Sequence, residues 1–381
     1  MTDVMQMERV TLAGVLPATL RALAVYLPQF HPVPENDAWW GRGFTEWTNV
    51  TKAKPLFDGH YQPHLPADLG FTDLRVPDVR AAQAELARAH GIHGFCYYHY
   101  WFSGRRILER PFTEVLESGS PDFPFCLCWA NENWTRRWDG QDQEVLLQQH
   151  YSAADDIAHI QSLLPAFADA RYIRVDGKPV FLVYRTGLMP EPARTAERWR
   201  NEALRAGVGD LYLIRVENFT TDPVPSDIGF DAAMPFAPDW RANPPARRPS
   251  AIARILRRLK LHDPMLERQN VMSYTDLAES VLARPSAGYL QYPCVTPMWD
   301  NSARRKVGAA IFHDSTPASY ERWLRAAGER FVPPSPDENL IFINAWNEWA
   351  EGNHLEPCQR WGRAYLEATR DALAAIDASR T

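Results

Sequence analysis

Eight short apolar, β-branched or aromatic runs alternate with helical patterns, and that alternation constrains the fold more than any other feature. The strand-like runs are Ala22–Leu27, Ile92–Tyr98, Pro124–Ala130, Val180–Tyr184, Leu211–Val216, Phe230–Pro235, Leu290–Pro297 and Leu340–Trp346. Helical periodicity covers Val76–Ala89, Pro111–Glu117, Ala153–Phe167, Glu191–Ala206, Tyr274–Leu282, Pro317–Ala327 and Arg363–Ala374. Strands that alternate with helices read as parallel βα units. Eight of them in 381 residues predict a single (β/α)8 barrel with long βα loops rather than an open sheet. The barrel is expected over residues 21–381, with residues 1–20 as an N-terminal extension.

Composition narrows the class of protein. A formal charge of −6 argues against general nucleic-acid binding. The sequence contains no apolar run long enough for a membrane span. The first residues, "MTDVMQMERVTLAGVLPATLR", include early acids and lack a long apolar centre, so they do not read as a secretory signal. Five dispersed cysteines read as buried thiols, and a cytoplasmic location is expected.

Two loops are unusually long. One follows the first run, from "PQFHPVPENDAWWGRGFTEW" to "HYQPHLPADLG". The other, near 237–270, contains "NPPARRPSAIARILRRLKL". It reads either as a solvated insertion or as a short basic helix over Ala251–Leu261 that docks on phosphate, an acidic polymer or an anionic membrane.

Barrel chemistry sits at the C-terminal ends of the strands. Eleven of fourteen tryptophans fall there: Trp39, Trp40, Trp47, Trp101, Trp129, Trp134, Trp138, Trp240, Trp299, Trp346 and Trp349. Amphipathic rings around a cleft suit sugars, which offer C–H faces and hydroxyls together. A tryptophan-rich protein interface is the competing reading. Amides and charged groups share the rim: Asn131, Glu132, Asn133, Arg136, Arg137 and Asp139, then Glu217 and Asn218, Asp239, Asp300 and Asn301. Tyr26, Glu46, Tyr98 and Asn347 join the expected substrate-binding ring, as do His31 and His99 for hydrogen bonds to hydroxyls. No H-x-H or H-E-x-x-H pattern is present, so no catalytic metal or other cofactor is expected. Neither usual glycine-rich nucleotide cradle occurs.

The last strand runs into "INAWNEWAEGNHLEP". Glu348 and Glu351 stand three residues apart, which on a helical turn puts their Cβ atoms roughly 5–6 Å apart. Like charges that close disfavour double ionisation, so one carboxyl should hold its proton and serve as an acid/base partner to the other. The bland alternative is a helix N-terminus decorated with acids.

"FINAWNEWAEGNHLEP" resembles the eighth-strand motif of glycoside hydrolase family 99, the endo-α-mannosidase and endo-α-mannanase family. "VYLPQFHPVPENDAWWGRGFTEW", "HYQPHLPADLG", "GFCYYHYWF" and "WANENWTRRWDG" resemble the WbsX family, over roughly residues 20 to 376. WbsX proteins carry a family-99-like domain and belong to bacterial surface-polysaccharide (O-antigen) biosynthesis. The family 99 resemblance implies neighbouring-group participation: Glu348 would deprotonate the sugar's own 2-hydroxyl, and Glu351 would protonate the leaving oxygen and then activate water. It implies an α-mannose- or α-rhamnose-configured sugar, because O2 must lie trans to the leaving group. The expected function is a retaining endo-glycosidase or transglycosidase on a bacterial polysaccharide. The alternatives are a WbsX-type glycosyltransferase and a non-catalytic carbohydrate-binding barrel.

Overall fold

The computed structural model describes residues 19–136, 141–218, 223–246 and 268–380. Trp138 and the basic stretch containing Arg247, Arg248, Arg257 and Arg258 lie outside them.

All eight expected strands form: β1 (Arg21–Tyr26), β2 (Ile92–Phe102), β3 (Phe125–Trp129), β4 (Lys178–Val183), β5 (Tyr212–Glu217), β6 (Ala232–Pro235), β7 (Cys294–Val295) and β8 (Leu340–Ile343). They run parallel in the order β6-β5-β4-β3-β2-β1-β8-β7. β3, β5 and β8 are buried along their whole length. Burial on both faces is what a parallel sheet wrapped in helices demands, and it explains why these runs are apolar without alternation.

Closure depends on the seventh run, which the structure breaks in two. Ala233 of β6 bridges to Gln291, donating to the Leu290 carbonyl at 3.0 Å and accepting from Tyr292 N–H at 2.9 Å. β7 then pairs with β8, Val295 against Ile343. Pro293 lies between the halves and has no N–H to give a ladder, though its carbonyl accepts from Phe342 at 2.9 Å. The sheet is thereby nearly closed into a barrel.

The helices are α1 (Pro77–Ala89), α2 (Arg110–Ser118), α3 (Ala153–Ala168), α4 (Pro192–Arg205), α5 (Tyr274–Leu282), α6 (Pro317–Arg330) and α7 (Ala364–Arg380). Among the described residues between β5 and β6 the helical element is the 3-10 turn Pro225–Ile228, where the sequence showed no helical period. Ser152, Ser273 and Thr316 cap α3, α5 and α6 with side-chain bonds to free N–H groups. Among the described residues no helix is long and apolar enough to cross a membrane. The five cysteines are free and buried.

The long loops gather at one end. The excursion after β1 contains two short helices, Pro34–Trp40 and Trp47–Lys52. The hairpin Trp134–Arg136/Gln141–Leu147 follows β3. A small sheet of Asn270–Ser273, Ala310–His313 and Trp299–Asp300 flanks β7. The start of the excursion, the hairpin and the small sheet line a cavity at the C-terminal end of the barrel.

Candidate active site

The chain leaves β8 held on both sides. Trp346 N–H donates to the Val25 carbonyl at 2.7 Å. The Asn347 amide grips Leu27 twice, accepting from its N–H at 2.8 Å and donating to its carbonyl at 3.0 Å. Asn347 and Glu348 then pair antiparallel with His354 and Asn353, and the 3-10 turn Trp349–Glu351 forms the tip. Gly352 ends that turn at φ +56°, and a Cβ there would lie 3.1 Å from Asp300 Cβ and the Asp300 carbonyl. Only glycine combines this left-handed conformation with so close an approach. The glutamate turn therefore rests directly against the Asp300 segment.

Asp300 is fastened in turn. Its Oδ2 meets His60 Nε2 at 2.6 Å and accepts from Gln62 Nε2 at 2.8 Å, and its Oδ1 caps Ser302 N–H. The 3-10 turn it caps, Asn301–Ala303, delivers Arg304 into the cavity. The Arg304 guanidinium contacts three carboxyls: Glu46 Oε2 at 2.6 Å, Glu348 Oε1 at 2.8 Å and Glu351 Oε1 at 2.9 Å. Sequence reading missed Arg304 altogether. It lies 44 residues from Glu348 and 258 from Glu46, in a stretch with no motif of its own.

Burial dominates the electrostatics. It drives the Glu348 pKa well above the ordinary carboxylate range; Arg304 pulls it down, and Glu351 and Glu46 push it up again. Glu46, whose side chain is wholly buried, is likewise raised by burial against the opposing pull of Arg304. Burial alone would lower the Arg304 pKa, but Glu348, Glu46 and Glu351 more than reverse this and keep it firmly charged.

The cavity has a volume of about 460 Å³, ordinary for a small-ligand site. Of the expected rim, Tyr98, Glu132, Asn133, Trp134, Trp240, Trp299, Asn301, Glu348 and Glu351 line it. So do Gln29, Tyr100, Tyr184, Phe236, Arg304 and Arg305. One wall is built on Trp134, which meets Tyr100 edge-on at 5.1 Å and is backed by Trp39 at 6.1 Å. Trp40 packs on Trp39 and Phe44, one layer further out. Across from it, Trp240 and Trp299 meet edge-on at 5.4 Å.

Other expected residues are placed elsewhere. Trp129, Trp346 and Trp349 are fully buried and Trp101 nearly so, with the Trp101 indole donating to Asp155 at 3.0 Å. Trp47 donates to the Thr72 carbonyl and packs on Trp349 at 5.4 Å. Tyr26 is buried and donates to Gln83. His31 is buried with neither ring nitrogen bonded to protein, and burial depresses it to about 4. His99 meets His159 at 2.9 Å and is depressed by burial to about 3. The Asn131 amide is spent on Arg185 and Tyr151. Glu217 is buried among Arg215, Tyr289 and Gln291. Asn347, Asp300 and Glu46 hold the frame. Arg136 occupies its hairpin strand. On β2 the reason is alternation: successive residues point to opposite sides, so Tyr98 and Tyr100 line the cavity while Trp101 packs away from it.

A nearly closed (β/α)8 barrel with an aromatic cavity and paired carboxyls at its C-terminal end defines the architectural class. The chain belongs to the glycosyltransferase WbsX family, whose profile matches residues 22–369. It is 47% identical over 365 residues to the uncharacterised protein WxcX of Xanthomonas campestris pv. campestris, covering 96% of this chain and 51% of that one. A WxcX from a second strain is 48% identical over 363 residues, covering 95% and 50%. The chain thus spans about half the length of these curated relatives. Among solved structures, the family 99 endo-α-mannosidase of Bacteroides thetaiotaomicron superposes with a TM-score of 0.57 at 14% identity, covering 94% of this chain and 98% of that one. A glycoside hydrolase-like protein superposes with a TM-score of 0.56 at 15% identity, covering 96% and 97%. At these identities the likeness is one of fold.

Proposed function

We propose that this chain acts on the glycosidic bonds of a bacterial polysaccharide whose sugar is α-mannose- or α-rhamnose-configured, with retention of configuration. One observation carries the mechanism: Glu348 and Glu351 share one turn and one guanidinium, so both carboxyls approach from the same wall. A conventional retaining pair flanks the anomeric carbon from opposite sides. Two acids on one wall suit a route in which the sugar supplies its own nucleophile. Glu348 takes the 2-hydroxyl proton, O2 attacks C1, and the bond to the leaving oxygen breaks as Glu351 delivers its proton there. The product is a 1,2-anhydro sugar. Water, deprotonated by Glu351, then opens it at C1, and the O2 proton returns from Glu348. Two inversions give net retention.

The direct test is proton NMR of the first-released anomer from a 1,2-trans manno- or rhamno-oligosaccharide. Retained configuration is expected, together with binding but no turnover of a 2-deoxy analogue. Inverted product, or turnover of that analogue at the normal rate, refutes the route. The aromatic walls give a binding counterpart: alanine at Trp134 or Trp240 should weaken oligosaccharide affinity by about 1–3 kcal/mol, a range taken from aromatic stacking on flat ligands. Calorimetry showing unchanged affinity in both variants removes the sugar-platform role.

A second reading, glycosyl transfer from a diphosphate-linked donor, draws on Arg305, which lines the same cavity, since a guanidinium fork suits phosphate. It predicts product only when such a donor and an acceptor glycan are both supplied.

A further inference from the structure

Beneath the glutamate turn lies a carboxyl that the proposed reaction does not use. Glu356 is only 3% exposed. Its Oε2 accepts from the Trp349 indole N–H at 2.6 Å. Its Oε1 accepts from the Trp346 indole N–H at 3.1 Å and from the Gln83 amide at 2.6 Å. All three partners present N–H donors, and none carries a charge. An indole has no acceptor to offer, and the Gln83 carbonyl is already engaged by the Tyr26 hydroxyl at 2.8 Å. A protonated carboxyl would point its O–H at a donor. The socket therefore fits the carboxylate.

We propose that Glu356 is a positioning residue: its carboxylate holds the Glu348–Glu351 turn in place through Trp349, and protonation releases that hold. Trp349 is the chain neighbour of Glu348 and opens the turn that ends at Glu351. Its ring is clamped between His354, stacked at 3.7 Å and 15°, and Trp47 at 5.4 Å. A proton taken up at Oε2 breaks the bond to Trp349, so the indole loses its anchor while remaining stacked. The consequence for catalysis rests on Glu348 and Glu351 being the reacting pair; the positional claim does not.

The change falls near neutrality. Burial pushes Glu356 up to about 7, against the downward pull of its bonds from Trp349, Gln83 and Trp346. The hold is complete above that pH and fails below it. The neighbouring groups do not supply the transition. From the loop after β1, His64 is depressed by burial to about 4, and it meets His354 at 3.0 Å. Burial keeps His354 well below its ordinary range, and its Nδ1 faces the Glu356 backbone carbonyl at 2.9 Å. Tyr26 of β1 is pushed far up by burial, and the Arg80 guanidinium of α1 bears on Tyr26. Glu348, on the turn itself, is the one neighbouring carboxyl raised in the same direction, and Glu351 stands at the turn's far end.

The experiment is hydrogen exchange of the amides from Ala345 to Gly352 in the ligand-free protein, from about pH 5.5 to about 8.5, corrected for intrinsic chemical rates. Protection should fall about tenfold as pH drops through neutrality, the scale of one hydrogen bond to a charged group. Glu348→Gln should keep this transition, because Glu356 is untouched. Trp349→Phe, which lacks the N–H, should flatten it. Glu356→Gln should show the low-pH protection at every pH. Protection in the wild type that is flat across the range, or a transition that survives in Trp349→Phe, overturns the proposal. The wild-type titration and Trp349→Phe decide the matter even if Glu356→Gln does not fold. Because no substrate is present, a failure here is separate from a failure of the catalytic reading.

Discussion

On the proposed mechanism Glu348→Gln should lose about a hundred- to ten-thousand-fold in kcat/KM, the usual worth of a positioned base, and no improvement of the leaving group should restore it. Glu351→Gln loses as much on a poor leaving group but considerably less on an activated aryl glycoside, which needs little protonation. The pH profile separates the same roles. Burial raises the Glu348 pKa well above the carboxylate range. As the base, Glu348 works ionised, so activity of the free enzyme rises with pH through that raised value, and Glu348→Gln abolishes that limb. An activity that falls through it makes Glu348 the proton donor and exchanges the two roles. Full activity in both variants makes the acids structural.

Arg304→Met is the second large effect. Arg304 is the cation shared by Glu46, Glu348 and Glu351, and its side chain is 11% exposed. Removing one partner of a buried ion pair costs about 3–5 kcal/mol, because the remaining charges stay buried without compensation. The penalty depends on pH with a definite sign. Burial already raises the folded-state pKa of Glu46 and Glu348, and loss of the guanidinium raises both further. A group raised on folding keeps its stability contribution below its unfolded pKa and loses it as pH rises through the folded one. The variant should therefore be closer to wild type at about pH 5 than at about pH 8. Urea unfolding at the two pH values reads the difference. A penalty equal at both would mean that the carboxyls do not depend on Arg304. The rising limb of activity should also move to higher pH.

Much of the frame was legible because it rests on local chemistry. β1, β2, β3, β4, β5, β6 and β8 lie where apolar and β-branched runs stood, since strands covered by helices on one side and packed inside the barrel on the other have no polar face to hide. The seventh run was legible as apolar but not as broken, although Pro293 stood in it. The glutamate pair was also local: the spacing of Glu348 and Glu351 is written in consecutive residues, whereas the left-handed Gly352 that ends the turn emerges from the fold.

What decides the site lies between distant segments. The guanidinium linking Glu46, Glu348 and Glu351 comes from a loop whose sequence shows no pattern, and three-body electrostatics has no period to read. The tryptophans make the same point. All those of the rim sat near strand ends, yet Trp134, Trp240 and Trp299 reach the cavity while Trp129, Trp346 and Trp349 fill the interior. Side-chain direction depends on register in a strand and on packing in a turn or loop, and both are set by segments that the chain meets only when the barrel assembles. Glu356 shows how far that matters. In the sequence it is an acid before a proline; in the fold it receives N–H bonds from Gln83, Trp346 and Trp349, which only tertiary packing brings to one point.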